Sequence, residues 1–205
     1  MLGAPNGVRR ETAITVTFVV KSSIHTCDNA VMDLPVPQTL ASGKHLRLVS
    51  RGHWEYAERT VASGAVMIVA VTPENRVIFV EQFRIPLDQV AIELPAGLVG
   101  DLPEDAGEPL ATAAHRELIE ETGYAAERLE LVGTFSTSAG LTSETVTLFV
   151  AHGLRRVGAG GGDHHEQITV HEVPLAEVDR WLAEQVAAGR MIAATVYTGL
   201  YFVRR

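Results

Sequence analysis

From His45 onward the chain alternates. Polar and apolar residues trade places in His45–Arg51 (HLRLVSR) and Trp54–Thr60 (WEYAERT), the period of two expected of half-buried strands. Two unbroken apolar runs follow, Gly64–Thr72 (GAVMIVAVT) and Arg76–Phe83 (RVIFVEQF), split only by Pro-Glu-Asn. Both read as strands buried on each face, and the short link predicts a hairpin. The stretch Ile92–Pro109 (IELPAGLVGDLPEDAGEP) is loop-like, rich in Gly, Pro and Asp. The period then changes. Leu110, Ala113, Ala114 and Leu118 recur at helical spacing, which predicts a helix over Pro109–Thr122, with Pro109 in its first turn and Gly123 as its C-cap. Leu129–Phe135 and Glu144–Ala151 read as strands joined by STSAGLTS, and Gly158–Gly162 (GAGGG) as a loop. Gln167–Val173 is a further strand. Pro174 opens a helix around Leu175–Ala188, and a last amphipathic helix is predicted over Met191–Val203.

Strands, one central helix, more strands and then helices predict an α+β or α/β sandwich. The first 40 residues offer one strand, Thr12–Val20, and then Pro- and Ser-containing loop up to Gly43. The expected division is residues 1–60 as an extension and β-rich arm and residues 61–205 as the main domain. Composition narrows the class. A hydrophobic fraction of 46% and a charged fraction of 20% over 205 residues belong to a globular chain with a proper core. The net charge of −8 argues against a nucleic-acid-coating protein, yet admits a phosphate-bearing substrate if divalent cations mediate the contact. A single cysteine, Cys27, leaves no intramolecular disulfide or cysteine-based zinc cluster and makes a reducing cytoplasm the expectation. Ile14–Val20 is too short to span a bilayer and reads as a strand rather than a signal peptide, so no membrane role is expected.

His115–Tyr124 (HRELIEETGY) changes the picture more than composition does. It places Glu117, Glu120 and Glu121 just before a glycine, where the helix macrodipole disfavours carboxylates. Residues three and four apart share a helix face, so these carboxylates converge on one patch. Two readings are open on spacing alone. The glutamates form an ordinary solvated face, or a hard cation such as Mg²⁺, which takes carboxylate oxygens and substrate phosphates, belongs between them.

The wider pattern, Glu108, seven residues, then Arg116-Glu-Leu-x-Glu-Glu-x-Gly-Tyr124, resembles the Nudix box of the Nudix hydrolase family. The usual form has five residues between a glycine and the first glutamate. Here ten residues separate Gly97 from Glu108, so LVGDLPEDAG reads as a five-residue insertion. Beyond the box, Trp54-Glu55, Gln82-Phe83-Arg84, Glu93–Gly97 and DHHEQITVHEVPL resemble the ADP-ribose pyrophosphatase branch, which hydrolyses nucleoside diphosphate sugars. One departure stands out: Ser138-Ala139-Gly140 replaces the branch's usual Ser-Pro-Gly or Asp-Pro-Gly.

The resemblance implies a Nudix α/β/α sandwich with a mixed sheet, and a homodimer joined through the N-terminal arm. It implies hydrolysis of a small-molecule nucleoside diphosphate sugar with Mg²⁺, or Mn²⁺ in its place, ADP-ribose giving AMP and ribose 5-phosphate. Other Nudix substrates, such as GDP-mannose or an oxidised nucleotide, and a non-catalytic sensor of nucleotide sugars stay open as alternatives. Metal ligands are expected at Glu117, Glu121 and Glu120, joined by the main-chain carbonyl of Ala96. Arg116 and Glu108 would orient the glutamates, and Glu120 and Arg116 belong to the catalytic set. Glu166 is the expected general base, with His164 and His165 as competitors. Arg84 would grip a phosphate or ribose, while Trp54 and Arg59 would meet the nucleobase, in this branch often across a dimer. Tyr197 and Tyr201 are expected in the core or a dimer contact.

Overall fold

The computed structural model describes residues 15–18 (as backbone only), 34–61, 64–100, 107–162 and 167–204. In chain order the first half holds β1 (Thr15–Phe18), β2 (Gln38–Ser42), β3 (Leu46–Arg51), β4 (Trp54–Arg59), β5 (Gly64–Ala70), β6 (Arg76–Arg84), β7 (Gln89–Glu93) and β8 (Ala96–Val99). Helix α1 (Leu110–Thr122) divides these from β9 (Tyr124–Ala125), β10 (Arg128–Ser136), β11 (Thr145–His152), β12 (Arg155–Arg156) and β13 (Thr169–Pro174). Helix α2 (Val178–Ala187), β14 (Met191–Ile192) and α3 (Ala194–Val203) follow.

Two mixed sheets form the body. One has the order β1-β10-β11-β5-β8, with β1 parallel to β10 and β11 parallel to β5 while the other pairs are antiparallel. The second has the order β13-β6-β7-β14, antiparallel except for β7 with β14. The layering follows from the alternation of β5. Val66, Ile68 and Ala70 pack with Ala113, Ala114 and Leu118 of α1. Met67 and Val69 face the other way, into a cluster with Val178 and Leu182 of α2 and Val196 and Leu200 of α3. A strand covered on both faces needs the unbroken apolar run that the sequence carries. The expected α/β/α sandwich is therefore present. A three-stranded antiparallel sheet, β2-β3-β4, makes the N-terminal arm. No helix among the described residues is long and apolar enough to cross a membrane.

Several sequence expectations change, and the stretch expected to be loop from Ile92 to Pro109 contains β8. β5 and β6 are not a hairpin: a single bridge, Val71 with Val77, joins them before the chain passes from one sheet to the other. Both edges of β5 are already taken, by β11 and β8. The last helix begins at Ala194, because Met191 and Ile192 pair in parallel with Ala91 and Ile92. Pro109 caps α1 from just outside it, its carbonyl accepting from the N–H groups of Thr112 and Ala113 at 2.9 and 3.1 Å. Tyr197 and Tyr201 are 54% and 58% exposed and so lie outside the core.

Candidate active site

Helix α1 presents the acidic patch because its apolar stripe is spent on the sheet. With Ala113, Ala114 and Leu118 buried against β5, Glu117, Glu120 and Glu121 turn towards β8 and the cavity beside it. Helical side chains lean towards the N-terminus, so the carboxylates reach back from the carbonyls that end the helix. Close approach of β8 depends on Gly97, where a Cβ would overlap the Glu117 carboxyl group. Glu121 is only 3% exposed, and the Ala96 N–H donates to its Oε2 at 3.0 Å. This bond sets the Ala96 main chain, whose carbonyl is the expected metal ligand, directly beside Glu121.

Arg116 knits the patch together. Its Nη1 donates to Glu117 Oε1 at 2.8 Å and Glu120 Oε2 at 3.0 Å, while Nε and Nη2 reach Glu108 at 3.4 and 3.3 Å. Burial works against its charge, but the bonds to Glu108 and the fields of Glu117 and Glu108 outweigh it and raise the pKa of the guanidinium. Arg116 therefore stays charged and holds three of the four box glutamates, Glu108, Glu117 and Glu120.

The end of the helix is closed by the glycine loop. Gly123, at φ 74°, turns the chain out of α1 and donates its N–H to the Ile119 carbonyl. Gly161 N–H donates to the Glu121 carbonyl at 2.8 Å and Gly162 N–H to the Glu120 carbonyl at 3.1 Å. Carbonyls in a last turn lack helical partners, and here the loop supplies them.

Arg116, Glu117, Glu120, Glu121 and Gly162 line a cavity of about 640 Å³, together with two further pairs. Arg84, at the end of β6, donates from Nε to both carboxylate oxygens of Glu93 at 3.1 and 3.0 Å. Arg59, at the end of β4, pairs with Glu144. Five glutamates (Glu93, Glu117, Glu120, Glu121, Glu144) thus face three arginines (Arg59, Arg84, Arg116) around one space. Such a wall repels a pyrophosphate unless cations are added. Among the described residues no three acidic or histidine side chains close into a ready-made metal cage. An open patch of carboxylates suits Mg²⁺, which keeps waters and shares its shell between one or two carboxylates and substrate phosphates.

Seven expected site residues, Ala96, Glu117, Glu120, Glu121, Arg116, Arg84 and Arg59, share this cavity. Trp54 is not among the lining residues. It is 50% exposed, and its indole N–H donates to the Gly140 carbonyl at 3.3 Å. Glu166, His164 and His165 lie outside the described residues, as does most of the inserted loop, residues 101–106. Sequence reasoning missed Glu144 and the role of Glu93. Glu93 sat in view inside a motif, whereas Glu144 is 85 residues from its arginine and carried no local signal.

Helix, sheet and cavity together define an α/β/α sandwich with an acidic cleft, and the match to a known family agrees. The NUDIX domain model matches residues 62–193, and the chain belongs to that family. It is 39% identical over 123 residues to the methanol dehydrogenase activator of Bacillus methanolicus, covering 60% of this chain and 64% of that one. It is 46% identical over 115 residues to the ADP-ribose pyrophosphatase of Bacillus subtilis, covering 56% of this chain and 60% of that one. The matches thus span less than two thirds of either relative. Among solved structures, an ADP compounds hydrolase superposes with a TM-score of 0.58 at 23% identity, over 73% of this chain and 82% of that one, which speaks for the fold.

Proposed function

We propose that this chain hydrolyses the pyrophosphate bond of a nucleoside diphosphate sugar, with ADP-ribose as the first candidate and AMP and ribose 5-phosphate as products. The observation that carries the reading is the cavity wall, in which buried Glu121 and its neighbours on α1 face the two arginines Arg59 and Arg84. Glu117, Glu121 and Glu120 would hold the metal, Mg²⁺ or in its place Mn²⁺, which neutralises phosphate oxygens and lowers the pKa of water. Arg116 keeps Glu117 and Glu120 turned towards that position. Arg84 and Arg59 supply charge-assisted donors for the phosphates and sugar, exchanging part of their bonding to Glu93 and Glu144 for the substrate. Water adds to one phosphorus, the bridging P–O bond breaks, and the proton lost from the water passes to a base. Glu166 is assigned that role on its place in the branch's sequence pattern.

The likeness to a named ADP-ribose pyrophosphatase supports the nucleotide sugar. Ala139, in place of the branch's proline, leaves the sugar as the question to ask first. A homodimer is part of the proposal. Leu40, Leu46, Leu48 and Trp54 of the arm are each 41–50% exposed, apolar surface of the kind that subunit contacts cover. We place the protein in the cytoplasm, on its single cysteine.

The test is a substrate panel with Mg²⁺: ADP-ribose, GDP-mannose and an oxidised nucleoside triphosphate, with products resolved by chromatography. AMP appearing fastest, from ADP-ribose, is expected. Turnover of GDP-mannose alone keeps the chemistry and replaces the substrate, and tight binding of ADP-ribose without hydrolysis makes the domain a sensor.

A further inference from the structure

The segment Gly158–Gly162 is more than a connection between β12 and β13. It lies across the C-terminal end of α1 and bonds it at the residues whose side chains face the cavity. Gly161 and Gly162 donate to the carbonyls of Glu121 and Glu120, while Val157 and Gly158 N–H groups donate to the Gly123 carbonyl at 2.8 and 3.1 Å. Main-chain bonds to two consecutive residues fix the rotation of the last turn about its axis, and with it the direction in which both Cα–Cβ bonds point.

The fit is too close for side chains. Gly160 adopts φ 71°, and a Cβ on it would meet Gly123 N at 2.7 Å and Glu121 O at 2.8 Å. Gly123 is held as closely in return, for its Cβ would meet Gly160 N at 2.8 Å. Gly161 and Gly162 also adopt positive φ, 107° and 79°. Three successive left-handed residues are unfavourable for any residue but glycine. A simple linker would need none of this. At the same time Gly162 reaches the cavity wall, so the segment joins the helix end to the rim of the site.

We propose that Gly158–Gly162 is a strap that positions the metal-binding glutamates, and that Gly160 is the positioning residue that lets it seat. The proposal rests on reading Glu117, Glu120 and Glu121 as a metal site. Its consequence is specific: loosening the strap weakens the metal site before it weakens the fold. Gly189 supplies a matched control. It too adopts a left-handed φ, 84°, but a Cβ there meets nothing within 4 Å, so Gly189→Ala shares the backbone strain without touching α1.

The experiment is Mn²⁺ titration followed by electron paramagnetic resonance, without substrate, on the unaltered protein, Gly160→Ala and Gly189→Ala. Gly160→Ala is expected to bind Mn²⁺ about tenfold more weakly, as loss of support behind metal ligands does, with Gly189→Ala matching the unaltered protein. Equal affinity in the two variants overturns the strap. Should Gly160→Ala fail to fold, hydrogen exchange over residues 157–162 of the unaltered protein decides. Slower exchange on adding Mg²⁺ supports the coupling, and unchanged exchange refutes it. An unaltered protein that binds Mn²⁺ but cleaves no nucleotide sugar defeats the proposed function and leaves the strap to be judged by its own variants. One that binds no Mn²⁺ defeats both.

Discussion

Arg116 donates to Glu108, Glu117 and Glu120 at once, so its removal leaves three carboxylates without their shared cation. Glu108 and Glu117 side chains are only 10% and 14% exposed, so water replaces little of what is lost. Arg116→Ala is expected to lower stability by roughly 1–3 kcal/mol, short of the full penalty for a buried pair because Arg116 is itself partly exposed. Added Mg²⁺ should restore part of that loss by occupying the same carboxylates. Urea unfolding with and without Mg²⁺ measures both effects; a variant as stable as the parent would mean the network holds nothing in place. This level was the most legible in the sequence. The spacing of Arg116, Glu117, Glu120 and Glu121 fixes which side chains share a helix face, and Glu108, just ahead of the helix, pairs with Arg116. Glu144 was invisible because its meaning lies in Arg59, on a different strand.

At the scale of elements, β6 and β13 are tied by a side-chain hydrogen bond as well as by their ladder. Glu81 on β6 accepts from Arg190 and shares a hydrogen bond with His171 on β13. Burial alone would raise the pKa of Glu81, but the bonds to Arg190 and His171 win and hold it below its ordinary 4.5. A depressed carboxylate pKa means the folded state binds fewer protons than the unfolded chain. The stability it contributes is full above about pH 4.5 and is lost as pH falls through the lowered value. Glu130, depressed mainly by Arg128, adds to the same decline. Arg190→Met should flatten the fall in stability below about pH 4.5, which denaturant melts at stepped pH would detect. An unchanged slope would show that Glu81 owes nothing to Arg190. Strand identity was legible in the apolar content of these segments, but strand pairing was not. The run from Gly64 to Phe83 looked like a hairpin because apolar periodicity reports burial, and burial is the same whether β5 and β6 pair or lie in separate sheets. The parallel pair Met191–Ile192 with Ala91–Ile92 was lost for a similar reason: two residues are too few to show a period.

For the whole molecule, the arm is where shape and assembly meet. β4 is joined to the segment after β10 by backbone bonds, Ala57 N–H to the Leu141 carbonyl at 2.9 Å and Ser143 N–H to the Ala57 carbonyl at 3.1 Å. The same loop receives the Trp54 indole and ends at Glu144, the partner of Arg59. The arm thus reaches the rim of the cavity, and a contact made through it would be felt at the site. Light scattering is expected to give twice the chain mass of 22.1 kDa. Leu48→Lys, placing a charge on the exposed face of β3, should return the single-chain mass and reduce activity. A parent protein of single-chain mass would remove the dimer from the proposal.

In the proposed function the acidic end of α1 is a cation site serving pyrophosphate hydrolysis. That role is tested most directly by AMP release from ADP-ribose across a Mg²⁺ titration, comparing the unaltered protein with Glu121→Gln. Gln keeps the shape of this buried side chain and removes its charge. The expected result is turnover that vanishes with chelator and falls by more than about 100-fold in the variant, beyond what loss of a supporting group brings. Equal turnover in the two proteins, or turnover that ignores Mg²⁺, would contradict it.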